Sequence, residues 1–192
     1  MRNILIIGAG RSATSLIEYL LNVSEKENLH LTIGDINPEA AQKLIQEHPR
    51  VTIIKLDVFQ EEQSKEAIAK SDLVISMLPA SFHIKIAEAC IELKKHMVTA
   101  SYVSKEMAAL HDKVVENDLV FMNEIGLDPG LDHMSAMQAI DRIRAKGGKL
   151  ILFESYTGGL LAPESDNNLW HYKFTWNPRN VVLAGQGGAA KF

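Results

Sequence analysis

The chain has 192 residues, of which 46% are hydrophobic and 23% are charged, and its formal net charge is -4. This length and composition suit a globular protein that buries a core, with one domain and part of a second. The charges form no basic block or stripe, and the longest apolar runs last only a handful of residues. Neither nucleic acid nor a membrane is therefore an expected partner.

Cys90 is the single cysteine of the sequence, so no intrachain disulfide can form. Together with an N-terminus that has no signal-peptide layout, it predicts a cytoplasmic protein. Cys90 falls on the apolar side of a helical pattern with Ile86, Ala87 and Ile91, and no motif ties a histidine or asparagine to it. We therefore expect a small core residue and not a nucleophile.

The first predicted element is an apolar strand that leads into a glycine turn. Ile4 to Ile7 show no polar alternation, which is typical of a parallel strand covered by helices on both faces. Gly8 allows a tight turn, Gly10 lets the backbone approach a pyrophosphate, and Ala13 takes the third small position, close to the strand. The phosphates would meet the N-terminus of the following helix. A glycine turn of purely structural use is the alternative.

The elements that follow supply the context that a dinucleotide site needs. A helix is predicted over residues 12–22, and the next strand, over 29–34, delivers Asp35. An aspartate at this position hydrogen-bonds both ribose hydroxyls of NAD and repels the extra phosphate of NADP. The sequence therefore predicts NAD as the cofactor, with NADP disfavoured.

Four more strands alternate with helices as far as residue 123. Asn37 and Pro38 begin a helix that ends near residue 48, and Ser104 caps a later one. The strands are predicted over 51–56, 72–77, 96–101 and 119–123, and the helices over 38–48, 60–70, 82–94 and 104–117. Six strands joined in this way predict an α/β fold with a doubly wound parallel sheet of the Rossmann type.

The pattern changes after residue 123. A loop rich in glycine leads to a helix capped by Asp132 that runs to residue 145, and a strand is predicted over 149–156. Residues 157–188 show little helical period. We expect a dinucleotide-binding domain over 1–125 and the beginning of a second, α+β domain over 126–192.

The carboxyl ends of the strands mark the expected site, since open α/β sheets bind ligands there. Asp57 follows the third strand, where it either contacts the cofactor near its adenine ring or caps a helix. Glu124, Asp128, Asp132 and His133 are candidates for a general base or relay at the domain junction. Asp132 could equally be only a helix cap, and His133 a surface residue of the first turn. These spacings do not suit zinc, so no metal site is expected.

Several long runs carry a resemblance that is more specific than the glycine turn. They are S-Y-V-S at 101–104, N-E-I-G-L-D-P-G-L-D-H at 123–133, S-Y-T-G-G-L-L-A-P-E-S-D-N-N at 155–168 and Y-K-F-T-W at 172–176. The chain resembles, over essentially its whole length, the saccharopine dehydrogenases of the glutamate-forming type. The resemblance implies oxidation of saccharopine at its secondary amine by a nicotinamide cofactor, then hydrolysis to glutamate and aminoadipate semialdehyde.

By motif position, the resemblance implies substrate contacts at Ser101, Tyr102 and Asp128. Strand ends and resemblance together predict these cofactor contacts: Gly8, Gly10, Arg11, Ser12, Ala13, Asp35, Asp57, Val58, Leu78, Pro79, Gly126, Leu127, Asp128 and Trp176. Because hydride leaves only when the amine lone pair is free, a base must accept the ammonium proton, and Asp128 is the expected base. The alternative for Asp128 is a structural turn before Pro129.

The sequence also departs from the resemblance. Asp35 stands where the fungal type carries residues able to hold a 2'-phosphate, which is similar to the NAD-using animal type. Family members are roughly twice as long, and their second domain binds substrate and dimerises. The resemblance therefore implies that residues 126–192 begin such a domain and that the chain is a fragment of a homodimer. Two alternatives stay open: a related dehydrogenase for another amino acid or a carboxylated polyamine, and a nucleotide-binding module that has lost catalysis.

Overall fold

The computed structural model describes residues 1–45, 48–156 and 161–173. Its strands are β1 (Arg2–Ile7), β2 (Leu29–Asp35), β3 (Val51–Lys55), β4 (Leu73–Ser76), β5 (His96–Thr99) and β6 (Phe121–Met122). Its helices are α1 (Thr14–Ser24), α2 (Pro38–Leu44), α3 (Glu61–Ala69), α4 (His83–Glu92), α5 (Lys105–Ala108), α6 (His111–Glu116) and α7 (Leu131–Ala145).

The six strands form one sheet in the order β3-β2-β1-β4-β5-β6, and every neighbouring pair is parallel. The strand order reverses direction between β1 and β4, which places a crevice at the carboxyl ends of these two strands. This arrangement confirms the predicted α/β fold with a doubly wound parallel sheet.

Two apolar clusters cover the two faces of the sheet. Because side chains alternate along a strand, Leu5 and Ile7 of β1 lie in one cluster while Ile4 and Ile6 lie in the other. Cys90 lies in the first cluster and is fully buried, which confirms that it is a core residue. Burial raises the pKa of its thiol to about 12, so the thiol stays protonated and unreactive.

Two predicted helices differ from the observed ones. The helix predicted to reach residue 48 ends at Leu44, because Ile45 has an extended backbone. The single helix predicted over 104–117 is two short helices, α5 and α6, with the Ser104 hydroxyl accepting a hydrogen bond from the Met107 amide at 3.1 Å. The break between them still leaves Met107, Leu110 and Val114 in the core.

The strand predicted over residues 149–156 is wrong. The backbone there has no regular secondary structure, and its apolar side chains are exposed, Ile151 to 92%. A strand needs a neighbour to receive its backbone hydrogen bonds, and none of the described strands pairs with this segment. α7 is also exposed: none of its residues is buried. Within the described ranges, no helix combines the length and apolar character needed to cross a membrane.

Candidate active site

The glycine turn connects β1 to a short 3-10 helix, Arg11–Ala13, that leads into α1. Gly8 has φ +100°, and a Cβ there would lie 3.1 Å from the carbonyl oxygen of Met77, so the chain itself requires glycine. Gly10 differs: its φ is -68°, and a Cβ there would meet no atom within 4 Å. Ala13 is buried against the strand, as the third small position predicts. The described structure therefore does not itself require glycine at position 10, and the open space beside it is compatible with the predicted close approach of a pyrophosphate.

Asp35 holds the glycine turn to the end of β2. Its Oδ2 accepts a hydrogen bond from the Ala9 amide at 2.7 Å, and its Oδ1 accepts one from the Asn37 amide at 2.8 Å. Each carboxylate oxygen has two lone pairs, so both can accept a further hydrogen bond from a ribose hydroxyl. The arrangement therefore suits the predicted role and adds a structural one that the sequence did not suggest.

Asp57 and Val58 follow β3 at the same edge of the sheet. Oδ1 of Asp57 accepts a hydrogen bond from the Phe59 amide at 2.9 Å and so stabilises a turn. The helix-cap alternative for Asp57 is wrong, since Gln60 holds the cap position of α3. Val58 packs its side chain into the core, which leaves only its backbone for a ligand.

The carboxyl end of β4 lies beside the glycine turn, because the Met77 amide donates to the Ile7 carbonyl at 2.8 Å. Leu78 packs partly into the core and Pro79 is exposed. Ser12, on the 3-10 helix of the glycine turn, is exposed as well. Trp176, also predicted to contact the cofactor, lies outside the described residues.

Glu124 links the loops that follow β5 and β6. Its amide donates to the Ser101 carbonyl at 3.0 Å, and its Oε1 accepts from the Val103 amide at 3.0 Å. Glu124 makes these bonds from a left-handed backbone conformation, with φ +61°. Its carboxylate is thus engaged in holding the loop of Ser101 and Tyr102, which weighs against Glu124 as the base.

Tyr102 and Asp128, both predicted to contact substrate, lie together. The Tyr102 hydroxyl donates to Oδ1 of Asp128 at 3.5 Å, the upper limit for a hydrogen bond. Partial burial raises the pKa of Tyr102, and the nearby negative charge of Asp128 raises it further. The phenol therefore stays protonated and can donate, while the exposed Asp128 carboxylate faces solvent.

The loop that carries Asp128 is held by its own backbone. The Gly126 amide donates to the Pro129 carbonyl at 2.8 Å, and the Leu131 amide donates back to the Gly126 carbonyl at 3.0 Å. Gly130 has φ +145°, and a Cβ there would overlap the backbone of Gly126. These bonds leave Leu127 and Asp128 exposed at the tip.

Asp132 is a structural residue at the start of α7, although Gly130 and not Asp132 holds the cap position. Its Oδ1 accepts hydrogen bonds from the Gly130 amide at 2.9 Å and from Nδ1 of His133 at 2.7 Å. Desolvation acts to raise the pKa of Asp132, but these hydrogen bonds outweigh it and lower that pKa. Asp132 is therefore ionised. The prediction that Asp132 caps this helix is wrong: it lies in the first turn of α7 and accepts a hydrogen bond from the preceding Gly130 amide. Across the described ranges, no group of three or more His, Cys, Asp or Glu could hold a metal ion.

His83 is the residue that the sequence analysis missed. It is the first residue of α4 and is buried between the ends of β4 and β5. Its Nδ1 lies 2.8 Å from Oγ of Ser76, and its Nε2 lies 2.7 Å from Oγ of Ser101 and 3.1 Å from Oγ1 of Thr99. No local motif signals this cluster, because its members come from two strands, a helix and a loop.

The fold and the glycine turn define the class of protein first: a dinucleotide-binding domain of the Rossmann type. Residues 4–122 match the family model described as Saccharopine dehydrogenase NADP binding domain, and residues 126–192 match that described as Saccharopine dehydrogenase C-terminal domain. The chain belongs to the saccharopine dehydrogenase family, and its cofactor is a nicotinamide dinucleotide.

Individual relatives agree with this assignment. The chain is 38% identical to an alpha-aminoadipic semialdehyde synthase of Arabidopsis thaliana, over 97% of this chain and 19% of that protein. It is also 38% identical to the saccharopine dehydrogenase [NADP(+), L-glutamate-forming] of Schizosaccharomyces pombe, over 98% of this chain and 41% of that protein.

A solved structure shows the same fold. Apo saccharopine dehydrogenase (L-Glu forming) from Saccharomyces cerevisiae superposes with a TM-score of 0.82 at 37% identity, covering 96% of this chain and 40% of that one. The chain thus spans about two fifths of the length of the fungal proteins that it matches.

Proposed function

We propose that this chain carries the cofactor site and part of the substrate site of an enzyme that oxidises saccharopine to L-glutamate and aminoadipate semialdehyde. The observation that carries the proposal is the Tyr102–Asp128 pair, at the same sheet edge as the glycine turn. Support also comes from the relatives, whose names state the L-glutamate-forming reaction. A cytoplasmic location and a homodimer through the second domain stay predictions.

The residues of the glycine turn fit a dinucleotide. Gly10 leaves open space beside its backbone, and Asp35 keeps lone pairs for ribose hydroxyls. Gly8, Gly10 and Ala13 would hold the pyrophosphate, and Asp35 the adenosine ribose. When bound there, the nicotinamide supplies a hydride acceptor for the carbon next to the substrate amine.

Asp128 is the proposed general base. The secondary amine of saccharopine is an ammonium ion near neutral pH, and it must lose a proton before the C–H bond breaks and a C=N bond forms. The exposed carboxylate of Asp128 accepts this proton. The protonated Tyr102 phenol donates a hydrogen bond to that carboxylate and so orients it. Water then adds to the C=N carbon and the C–N bond breaks, which releases the amino acid and the semialdehyde.

The proposed preference is for NAD over NADP. It rests on Asp35, whose negative charge at the ribose would repel a 2'-phosphate. The family model and the fungal relatives are named for NADP and favour the opposite preference. The position of Asp35 is the reason to expect that this chain differs from them.

The function is tested with a full-length version of the protein, by mixing it with saccharopine and either NAD or NADP and following the absorbance of reduced nicotinamide. We expect turnover, and we expect Asp128→Asn to lower kcat by about 100-fold or more, the usual range for loss of a general base. Asp141→Asn is the matched control, because Asp141 lies on the exposed α7 and, among the described residues, makes a surface ion pair with Arg144.

Dinucleotide binding, measured separately by fluorescence titration, makes a negative result interpretable. Full-length wild-type protein that binds the dinucleotide and does not oxidise saccharopine would overturn the substrate assignment. An Asp128→Asn variant with wild-type kcat would overturn the assignment of the base.

A further inference from the structure

His83 joins three hydroxyl groups at the carboxyl ends of β4 and β5. Ser76 and Thr99 are paired across these two strands, and both are almost completely buried. Ser101, two residues beyond Thr99, is only partly buried and reaches the edge where the substrate is proposed to bind. The imidazole therefore connects the interior of the sheet to a residue of the proposed substrate site.

The hydrogen-bond partners determine which ring nitrogen carries the proton. Among the described residues, Nδ1 of His83 is the only hydrogen-bond partner of the buried Ser76 hydroxyl, so the Ser76 proton is satisfied only if Nδ1 accepts it. A neutral ring that accepts at Nδ1 carries its hydrogen on Nε2. In the opposite tautomer the Ser76 hydroxyl proton would have no acceptor among the described residues in a buried place, which is costly. The Thr99 hydroxyl does not decide between the tautomers, because Nε2 lies closer to Ser101, at 2.7 Å against 3.1 Å, and its one hydrogen or lone pair serves Ser101 first.

The neutral state of the ring follows from its surroundings. His83 contacts three hydroxyls and no carboxylate in the part of the chain that the structure describes. Burial lowers its pKa, and nothing opposite in charge restores it.

With hydrogen on Nε2, the direction of the next bond is fixed. Nε2 donates to Oγ of Ser101 at 2.7 Å, and the Ser101 hydroxyl keeps its own proton. The three groups form a chain of donors that runs one way, from Ser76 through His83 to Ser101. Hydrogen bonds aligned in this way strengthen one another.

We propose that His83 is a positioning residue that fixes the Ser101 hydroxyl as a hydrogen-bond donor to a carboxylate of the amino-acid substrate. This rests on the proposed function, from which the substrate is taken. A hydroxyl whose oxygen accepts from Nε2 and whose own proton has no other acceptor among the described residues is a donor suited to an anionic group. The hydrogen-bond chain thereby favours a carboxylate group of the substrate beside Ser101.

Nitrogen NMR of the wild-type protein tests the donor chain without any activity. Long-range 15N–1H correlation spectra distinguish the two neutral tautomers and the charged ring, and His83→Gln assigns the signals. We expect the Nε2–H tautomer at neutral pH. A ring that is protonated on Nδ1, or on both nitrogens, would overturn the proposal.

Kinetics with saccharopine test the effect on the substrate. We expect His83→Leu to raise KM about 10-fold with little change in kcat, because a hydrogen bond to a charged carboxylate is lost equally before and during the reaction. Gln retains an amide donor near the position of Nε2, so His83→Gln should restore most of the affinity. His111→Leu, at the exposed start of α6, is the matched control and should leave KM unchanged.

A double mutant separates positioning from loss of folding. In a Ser101→Ala background, His83→Leu should change KM less than about 2-fold, because the donor that it positions is absent. An equal rise of KM in both backgrounds would overturn the proposal. If the wild type shows the Nε2–H tautomer and its full-length version does not turn over saccharopine, the proposed function fails while the donor chain stands, so the two failures are distinguishable.

Discussion

At the scale of single residues, Asp35 has a structural role beside the cofactor role that we propose for it. Two backbone amides, of Ala9 and Asn37, donate to its two carboxylate oxygens and fix the side chain at the turn. In the proposed cofactor complex, the same fixed carboxylate would accept hydrogen bonds from ribose hydroxyls and place a negative charge beside any 2'-phosphate. The proposed NAD preference rests on this placement.

Asp35→Ser should therefore shift cofactor preference toward NADP. Two like charges about 4 Å apart repel by ~1 kcal/mol in water and by ~4 kcal/mol near a protein surface. We therefore expect the dissociation constant of NADP, divided by that of NAD, to fall about 10-fold. Asp72→Ser is the matched control: Asp72 also accepts a backbone hydrogen bond, from Asn3 at 2.7 Å, but at the amino end of the sheet. An unchanged ratio in Asp35→Ser, measured by titration, would contradict the reading of this aspartate.

His83 should make the stability of the protein depend on pH. Burial lowers its pKa in the folded state below the ordinary value of 6.5, so the unfolded state binds more protons as the pH falls below about 6.5. The free energy of unfolding contributed by this group is then fully present above that pH and is lost as the pH falls through the folded pKa. Urea unfolding at several pH values between roughly 5 and 8 measures this dependence of the free energy of unfolding on pH.

The comparison that isolates His83 is the difference between wild type and His83→Gln. The glutamine variant should lose part of the acid-dependent fall in stability, whereas His111→Gln, at an exposed position, should keep it. Parallel pH profiles for wild type and His83→Gln would show that the imidazole titrates as freely as in the unfolded chain.

At the scale of secondary-structure elements, the predictable parts are those specified by local sequence. The run from Ile4 to Ile7 is apolar at every position because both faces of β1 are buried, and that pattern can be read without a structure. The strand predicted over 149–156 has a similar apolar character but no described partner strand, and pairing is a property of the sheet. His83 was missed for the same reason: only the register of β4 and β5 brings its hydroxyl partners together.

The two glycines of the turn should respond differently to substitution. Gly8→Ala places a side chain at φ +100° and close to Met77, so we expect a loss of about 1–3 kcal/mol in the free energy of unfolding. Gly10→Ala meets no protein atom and no strained backbone, so stability should be unchanged or slightly higher. Its methyl group would instead crowd the pyrophosphate, and dinucleotide affinity should fall about 10-fold, or ~1.4 kcal/mol.

Chemical denaturation and cofactor titration of the same two variants provide the check, and each variant serves as the control for the other. The separation of the two effects is the informative result. Wild-type dinucleotide affinity in Gly10→Ala would mean that the open space beside this residue is not where the phosphates bind.

At the scale of the whole molecule, the described core lies entirely within the sheet domain. The buried apolar residues of both clusters fall between Ile4 and Val114, and α7 contributes none. α7 instead exposes Leu131, Met134 and Met137, which are apolar. A domain with its own core can fold alone, so we predict that residues 1–125 keep most of their stability without residues 126–192.

A chain that ends after residue 125 should accordingly unfold in one cooperative step, with a free energy of unfolding within about 1 kcal/mol of that of the 192-residue chain, the size of a typical single-substitution effect. The last retained residues still hold the sheet edge, because the Glu124 amide donates to the Ser101 carbonyl.

A chain that ends after residue 95 is the contrasting control. It lacks β5 and β6 and loses Met97, Met107, Leu110 and Val114 from the first cluster, so it should not fold cooperatively. Urea unfolding followed by circular dichroism compares the three chains, and a large loss of stability in the 125-residue chain would place the domain boundary further along the sequence.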